Sequence, residues 1–247
     1  MRVLINGITG HMGQIIASLA DSGYAGATLA GGVSPDVQVE ENNRFKNFDT
    51  CNVEADVVVD FSFHGAVEDL LYYCVSKNLP VVIGTTGHTI EETRMIIGAS
   101  SKIPVFYSAN MSVGVAVLAG LAKKAAAEFP DADIEIVETH HNRKIDVPSG
   151  TAMMLYSSIK EARPDSVFNI GRPENGKRTK EEIGIHSIRM GNIVGIHEVL
   201  ISTGTETITL KHEAHSRAIF GEGALKVAAF LIGKKPGRLY TIKDVMA

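Results

Sequence analysis

The chain of 247 residues carries 24 lysines and arginines against 28 acids, a formal net charge of −4, and its basic residues form no run. That balance argues against a nucleic-acid partner, and the longest apolar stretches are too short to cross a bilayer, so neither nucleic acid nor membrane is expected. The length leaves room for about one or two domains with a sizeable core. Two isolated cysteines, Cys51 and Cys74, in a chain without a charged leader and a following hydrophobic segment are expected to stay reduced in a cytoplasmic protein.

The chain opens with a short apolar strand, Arg2-Val3-Leu4-Ile5, that runs into Asn6-Gly7-Ile8-Thr9-Gly10-His11-Met12-Gly13 and then an apolar helical face from Gln14 to Ala20. Glycines at 7, 10 and 13 allow a tight turn, close approach of a pyrophosphate to backbone N–H groups, and tight packing of helix on strand. A glycine triplet alone also serves purely structural turns. Its position between a strand and an amphipathic helix makes this one a dinucleotide site. In such folds an acid about 20 residues further on holds the adenosine ribose of NAD. Here the second strand, 27–33, ends at Ser34, and the next basic residues are Arg44 and Lys46, so the choice between NADH and NADPH stays open.

Residues 56–62 and 80–87 hold continuous apolar runs, the pattern of strands buried on both faces of a parallel sheet. Between them Val67, Leu70, Leu71, Cys74 and Val75 form the stripe of a packed helix. The strands end in Ser62 and in Gly84-Thr85-Thr86-Gly87, at the carboxyl edge where open α/β sheets bind ligands, and the second turn is expected against the nicotinamide. A further strand, 104–107, leads through Ser108-Ala109-Asn110-Met111-Ser112-Val113-Gly114 into a long helix reaching about Phe129, where the two domains are expected to meet.

Next, apolar residues alternate from Asp133 to Glu138, so a strand delivers His140 and His141 to its exit loop. After Pro148, Ser149-Gly150-Thr151 precedes a helical apolar face of Ala152, Met153, Met154, Leu155 and Ile159. Free N–H groups and the positive end of a helix dipole there suit a carboxylate or phosphate. Lys144 adds an ammonium, and an imidazole beside the anion can give or take a proton. A zinc site of His140, His141 and Asp146 is disfavoured, because adjacent strand residues point to opposite sides, and no metal is expected. Residues 163–182 are polar. Three strand-like runs follow, 184–190, 193–202 and 206–214, and Met190-Gly191-Asn192-Ile193 between the first two reads as a tight turn, so they are expected to pair as an antiparallel sheet. A helix over 220–232 and a last segment over 237–242 are expected to rejoin the first domain.

Taken together, the glycine turn, Gly84-Thr85-Thr86-Gly87, the segment from Ser108 to Gly114 and above all His140-His141-Asn142-Arg143-Lys144-Ile145-Asp146-Val147-Pro148-Ser149-Gly150-Thr151 resemble the dihydrodipicolinate reductase family over nearly the whole chain. The resemblance implies an α/β fold: a Rossmann-type parallel-sheet domain for NADH or NADPH over 1–111 and 218–247, and a smaller α+β domain with a mixed or antiparallel sheet over 112–217 for substrate and homotetramer contacts, with a cleft that closes. It implies reduction of 4-hydroxy-tetrahydrodipicolinate to tetrahydrodipicolinate with loss of water, in lysine and diaminopimelate biosynthesis. By motif position His140 would be the general acid and Lys144 its partner. His141, Ser149, Gly150, Thr151 and Arg217 would bind the dicarboxylate. The cofactor would lie on Gly7, Ile8, Thr9, Gly10, His11, Met12, Gly13, Ser34, Gly84, Thr85, Thr86, Ser108, Ala109, Asn110 and Met111. Many relatives have an acid where Ser34 stands and an arginine where His11 stands, which leaves cofactor selectivity weak or dual. Two other readings compete: a related two-domain dehydrogenase of aspartate-family metabolism, and a nicotinamide-binding sensor without catalysis. The anion site from Lys144 to Thr151 and the histidine pair speak against the first, and the intact His140 and Lys144 against the second.

Overall fold

Strands rich in Val and Ile with no polar face need cover on both sides. Val3 and Ile5 in the first strand point into one core with Val57, Val59 and Val82, while Leu4 points into a second core with Val58, Val81 and Ile83. The computed structural model describes residues 1–246; Ala247, at the end of the expected nucleotide-binding segment, lies outside them. The chain forms two compact units, Met1–Ser112 with Ala218–Ala247, and Val113–Arg217.

In the first unit, β1 (Arg2–Asn6), α1 (His11–Asp21), β2 (Thr28–Val33), β3 (Arg44–Phe45), β4 (Val57–Asp60), α2 (Val67–Ser76), β5 (Val81–Ile83), α3 (Ile90–Ala99) and β6 (Val105–Tyr107) alternate in the manner of a doubly wound fold. The strand order is completed by β12 (Leu239–Tyr240), which the chain adds after the other unit, to give β12-β6-β5-β4-β1-β2-β3 with every pairing parallel. One face carries α1 and α6 (Ala218–Leu231), through Ile16, Ala17, Ala20, Ala224, Leu225 and Ala228; the other carries α2 and α3, through Leu70, Leu71, Cys74 and Ile96. A short α7 (Ile242–Met246) follows β12. Cys51 and Cys74 are buried free thiols. The start of α3 is set by a capping box, in which Thr89 Oγ1 accepts from Glu92 N–H and Glu92 Oε2 accepts from Thr89 N–H.

The second unit contains α4 (Val113–Glu128), β7 (Asp133–His140), α5 (Gly150–Lys160), β8 (Val167–Ile170), β9 (Glu182–Arg189), β10 (Gly195–Ser202) and β11 (Thr207–Ala214). Its sheet runs β11-β10-β7-β9-β8, with α4 and α5 packed on one face through Leu118, Ala122, Leu155 and Ile159 against Ile134, Ile136, Ile183, Ile185, Val199 and Ile201.

The sheet corrects one expectation. Only β10 and β11 of the three runs form an antiparallel pair; β9 and β10 are not neighbours, because β7 lies between them, parallel to β9 and antiparallel to β10. The glycine turn after β9 therefore does not close a hairpin. It steps over the end of β7, where Met190 N–H donates to the His140 carbonyl (2.9 Å) and Asn142 N–H to the Gly191 carbonyl (3.2 Å). The polar stretch 163–182 also hides a strand, β8, which pairs parallel with β9 at the sheet edge.

Gly13 is a tight point of the glycine turn: a Cβ there would overlap the Gly7 carbonyl oxygen and the Ile8 Cα. Gly13→Ala is expected to lower stability by about 1–3 kcal/mol, the ordinary cost of overpacking. Urea unfolding checks this, and an unchanged midpoint would show that the turn gives way freely.

Candidate active site

At the carboxyl edge of the first sheet, backbone groups rather than charges dominate. Gly7 sits at φ +84°, a region open to glycine, and donates its N–H to the Val33 carbonyl (2.8 Å), which fastens the turn to β2. Gly10 caps α1 without any side-chain bond, so no capping side chain satisfies the first-turn N–H groups. Ile8 is wholly buried and His11 exposed. Ser34 is buried, its Oγ 2.6 Å from Thr9 Oγ1, so the residue that replaces the usual acid braces the glycine turn instead of presenting a charge. Alongside, the buried Asp60 carboxylate at the end of β4 accepts from Asn6 Nδ2 (2.8 Å) and Ser62 Oγ (2.6 Å), tying two strand ends together. Burial pushes this carboxyl up, against the hydrogen bonds that lower it. Thr85 Oγ1 accepts from Ser62 N–H (2.8 Å), so of the Gly84–Thr86 triplet only Thr86 is exposed. In the next loop Ser108 Oγ accepts from Asn110 N–H and donates to its carbonyl, while Asn110 Oδ1 accepts from Ser112 N–H. Ala109 is exposed, and Met111 is buried with its carbonyl packed against Gly223.

The second unit assembles charge. Alternation along β7 sends Ile134, Ile136, Glu138 and His140 to the helix-covered face, so a carboxylate and an imidazole stand where the pattern calls for apolar residues. Glu138 is fully buried. Its Oε2 lies 2.5 Å from His140 Nδ1 and 2.8 Å from Arg189 Nη1, and its Oε1 accepts from Arg189 Nη2 (2.7 Å) and from Ser149 N–H (3.2 Å). Burial alone pushes the Glu138 carboxyl up, but the bonds from His140 and Arg189 outweigh it and hold the group well below the usual carboxylate range. Since Nδ1 is committed to Glu138, His140 keeps Nε2 for other work, and Nε2 points at Gly195, where a Cβ would stand only 3.1 Å away.

Ser149 caps α5 by accepting from Ala152 N–H (3.2 Å), and its Oγ lies 3.1 Å from Nε2 of the buried His197 on β10. His197 packs edge-on against His140, ring centroids 5.1 Å apart, and burial, then His140, push it down to about 3. Between β7 and α5, Lys144 Nζ pairs with Asp146 Oδ1 (2.8 Å), and Arg189 Nη2 donates to the Asp146 carbonyl (2.7 Å). Asp146 is lowered, burial opposing and the Lys144 bond prevailing. Arg217 Nη2 lies 3.4 Å from His141 Nε2, and desolvation and the nearby cations Arg143 and Arg217 push His141 down.

Thus His140, His141, Lys144, Ser149, Gly150, Thr151 and Arg217 all belong to the second unit, and the glycine turn, Ser34, Gly84–Thr86 and Ser108–Met111 to the first. Glu138, Arg189 and His197 were not marked as site residues by the sequence reading. Their signal was a charged or imidazole side chain at an inward position of an alternating strand. Glu138, His140 and His197 bring ligand-type atoms within 4.8 Å of one another. Both Glu138 oxygens are nevertheless bound by the Arg189 guanidinium, which occupies the charge a metal would need.

Comparison with known proteins agrees on one family. The family model described as dihydrodipicolinate reductase, N-terminus, matches residues 1–111, and the one described as dihydrodipicolinate reductase, C-terminus, matches residues 114–246. The 4-hydroxy-tetrahydrodipicolinate reductase of Caldanaerobacter subterraneus subsp. tengcongensis is 44% identical over 248 residues, 100% of this chain and 98% of that protein. That of Clostridium novyi is 44% identical over 250 residues, 99% and 98% of the two chains. Among solved structures, dipicolinate-bound dihydrodipicolinate reductase from Paenisporosarcina sp. TG-14 shares the fold, with a TM-score of 0.79 at 24% identity over 100% of this chain and 99% of that one.

The buried His197 sets a pH dependence. Folded, it holds a proton only near pH 3, whereas unfolded it would bind one near 6.5, so its contribution to stability is complete above about pH 6.5 and is lost as the pH falls. The groups around it, Glu138 and His140 on β7, Lys144 beyond it and His212 on β11, remain in the variant His197→Gln. Between about pH 6 and 5 the wild type is expected to lose stability more steeply than H197Q, by up to roughly 1.4 kcal/mol per pH unit. Thermal melts across that range check it; parallel slopes would contradict it.

Proposed function

The chain belongs to the dihydrodipicolinate reductase family, and from that membership we propose how its residues share the NAD(P)H-dependent reduction of 4-hydroxy-tetrahydrodipicolinate to tetrahydrodipicolinate. The observation that carries the proposal is the Glu138–His140 pair beside the Ser149-capped start of α5. It joins a proton-transfer group to an anion site.

The dihydronicotinamide of NADH or NADPH supplies the hydride when bound to residues 1–111 and 218–247. The residues of that segment fit it: the N–H groups of the Gly7–Gly13 turn and α1 take the pyrophosphate, and Gly84, Thr85, Thr86 and the backbone of Ser108, Ala109, Asn110 and Met111 line the path beyond. Residues 112–217 bind the dicarboxylate. One carboxylate is held by Ser149 Oγ and the N–H groups of Gly150 and Thr151, the other by His141 with Arg217. His140 is oriented through Nδ1, so its Nε2–H is the general acid that completes the addition begun by the hydride. Lys144 neutralises the charge that develops on the substrate, its ammonium turning from Asp146 to the bound anion. In sum, one hydride and one proton are added and one water leaves, which balances the reaction.

The same reading makes the chain a cytoplasmic homotetramer. No helix among the described residues is long and apolar enough to cross a membrane. The face of the second sheet away from α4 and α5 carries Val137, Ile188, Ile196 and Leu200 among Glu135, His186 and Glu198, a mixed surface suited to a second copy.

Replacement of His140 or Lys144 by Ala is expected to lower kcat about 10²- to 10⁴-fold, the range for general acid–base groups, in variants whose folded state is confirmed by circular dichroism. The check follows absorbance at 340 nm while a synthase makes the substrate from pyruvate and aspartate semialdehyde. Near-normal turnover in both variants would remove them from the mechanism. In the same assay NADH and NADPH are expected to differ in kcat/KM by less than about a hundredfold, near 3 kcal/mol, because the Thr9–Ser34 corner carries no charge to attract or repel a 2′-phosphate. A larger ratio would show that another group reads the ribose.

A further inference from the structure

His197 lies outside the set of residues given a role above, yet it touches that set at one atom. A hydroxyl has a single hydrogen and two lone pairs. Ser149 Oγ spends one lone pair on Ala152 N–H as the cap of α5, and its other neighbour is His197 Nε2 at 3.1 Å. If the proton of the neutral imidazole were on Nδ1, Nε2 would take the hydroxyl hydrogen and Ser149 would have none left for a ligand. If the proton is on Nε2, His197 donates, both lone pairs of Ser149 Oγ are filled, and its hydrogen is left for a further acceptor.

The environment of Nδ1 decides between the two. It is buried and has no hydrogen-bond partner among the described residues. An orphaned N–H donor there costs more than an unused acceptor lone pair, so the proton belongs on Nε2. The doubly protonated ring, which would also donate, is opposed by burial and by His140 beside it. Cross-strand register fixes the imidazole in place, with Glu138 opposite it on β7 and His212 opposite it on β11.

We propose that His197 is a positioning residue for substrate: its Nε2–H donates to Ser149 Oγ and thereby commits the Ser149 hydroxyl hydrogen to a substrate carboxylate. The inference rests on the reading of 149–151 as the carboxylate site. It assigns a binding role to a residue that does not itself meet the substrate.

Gln and Asn separate this role from mere packing, since a Gln amide places its donor near the position of Nε2 and an Asn amide near that of Nδ1. His197→Gln is expected to keep the KM for 4-hydroxy-tetrahydrodipicolinate, and the Kd for dipicolinate by calorimetry, within about threefold of wild type. His197→Asn is expected to raise both about tenfold or more, the loss of one hydrogen bond to a charged group, with kcat changed much less. In the Ser149→Ala background His197→Asn should add nothing. Equal impairment by Gln and Asn, or an effect that persists undiminished without the Ser149 hydroxyl, would overturn the proposal. The tautomer can be read on the wild-type protein, independent of how any variant folds, from the ¹⁵N shifts of the labelled imidazole: a proton on Nε2 is expected, and one on Nδ1 would sink it. A wild type that binds dipicolinate but reduces nothing would count against the assigned reaction instead, and the dipicolinate titrations would still decide the part of His197.

Discussion

A carboxylate with no exposure to solvent must be paired or neutralised, and Glu138 is paired from three sides. Breaking a buried pair by removing one partner typically costs about 3–5 kcal/mol, because an uncompensated charge is left behind. That requirement organises the second unit. Arg189 must come from β9, which fixes the parallel register of β9 on β7. His140 must present Nδ1 to the acid, which leaves Nε2 free. The Ser149 N–H must reach Oε1, which brings the start of α5 to the end of β7. One buried anion thus aligns a proton donor, a helix terminus and two strands.

Under the proposed roles, the two units would meet their anions in different ways. In the first, the turn from Gly7 to Gly13 works through backbone N–H groups and close packing, and even Ser34 is turned inward to brace it. On the proposed reading a pyrophosphate would meet dipoles there whose geometry is fixed by the sheet edge, and the Asp60 clasp holds two of the strand ends that define that edge. In the second, Lys144, Arg217 and the imidazoles add mobile charge to a helix terminus. The difference suits the ligands: the pyrophosphate keeps its charge throughout, while charge on the substrate must shift as a proton and a hydride arrive.

Much of this was legible in sequence because it is local. The apolar runs of β1, β4 and β5 could only be buried strands, and the stretch from His140 to Thr151 gathers donors within a single loop and helix start. The parts that were not legible depend on partners far apart in the chain. Arg189 stands 51 residues from Glu138, and His197 stands 48 from Ser149. No periodicity links such residues; only the register of the strands does. β8 was missed for another reason: Val167, Phe168 and Ile170 are all substantially exposed at a sheet edge, so the inward-outward alternation that marks a strand is absent.

The misread turn at Met190–Ile193 shows how local and distant signals compete. Gly191 at φ +53° is the backbone state that a tight hairpin would use, so the sequence cue was chemically sound. What it could not convey is that the partner beside β9 was already taken. β7, reached earlier in the chain, pairs with β9 on one side and β10 on the other, and the central place in the sheet goes to the strand carrying the buried acid. The turn then serves a different end. By bonding to the backbone of His140 and Asn142 it closes over the exit of β7, the point from which both histidines leave the strand, and Gly195 just beyond it leaves room for His140 Nε2. The same glycine-rich segment that looked like a hairpin is therefore part of the wall of the site, and it was placed there by the strand order that Glu138 and Arg189 together require.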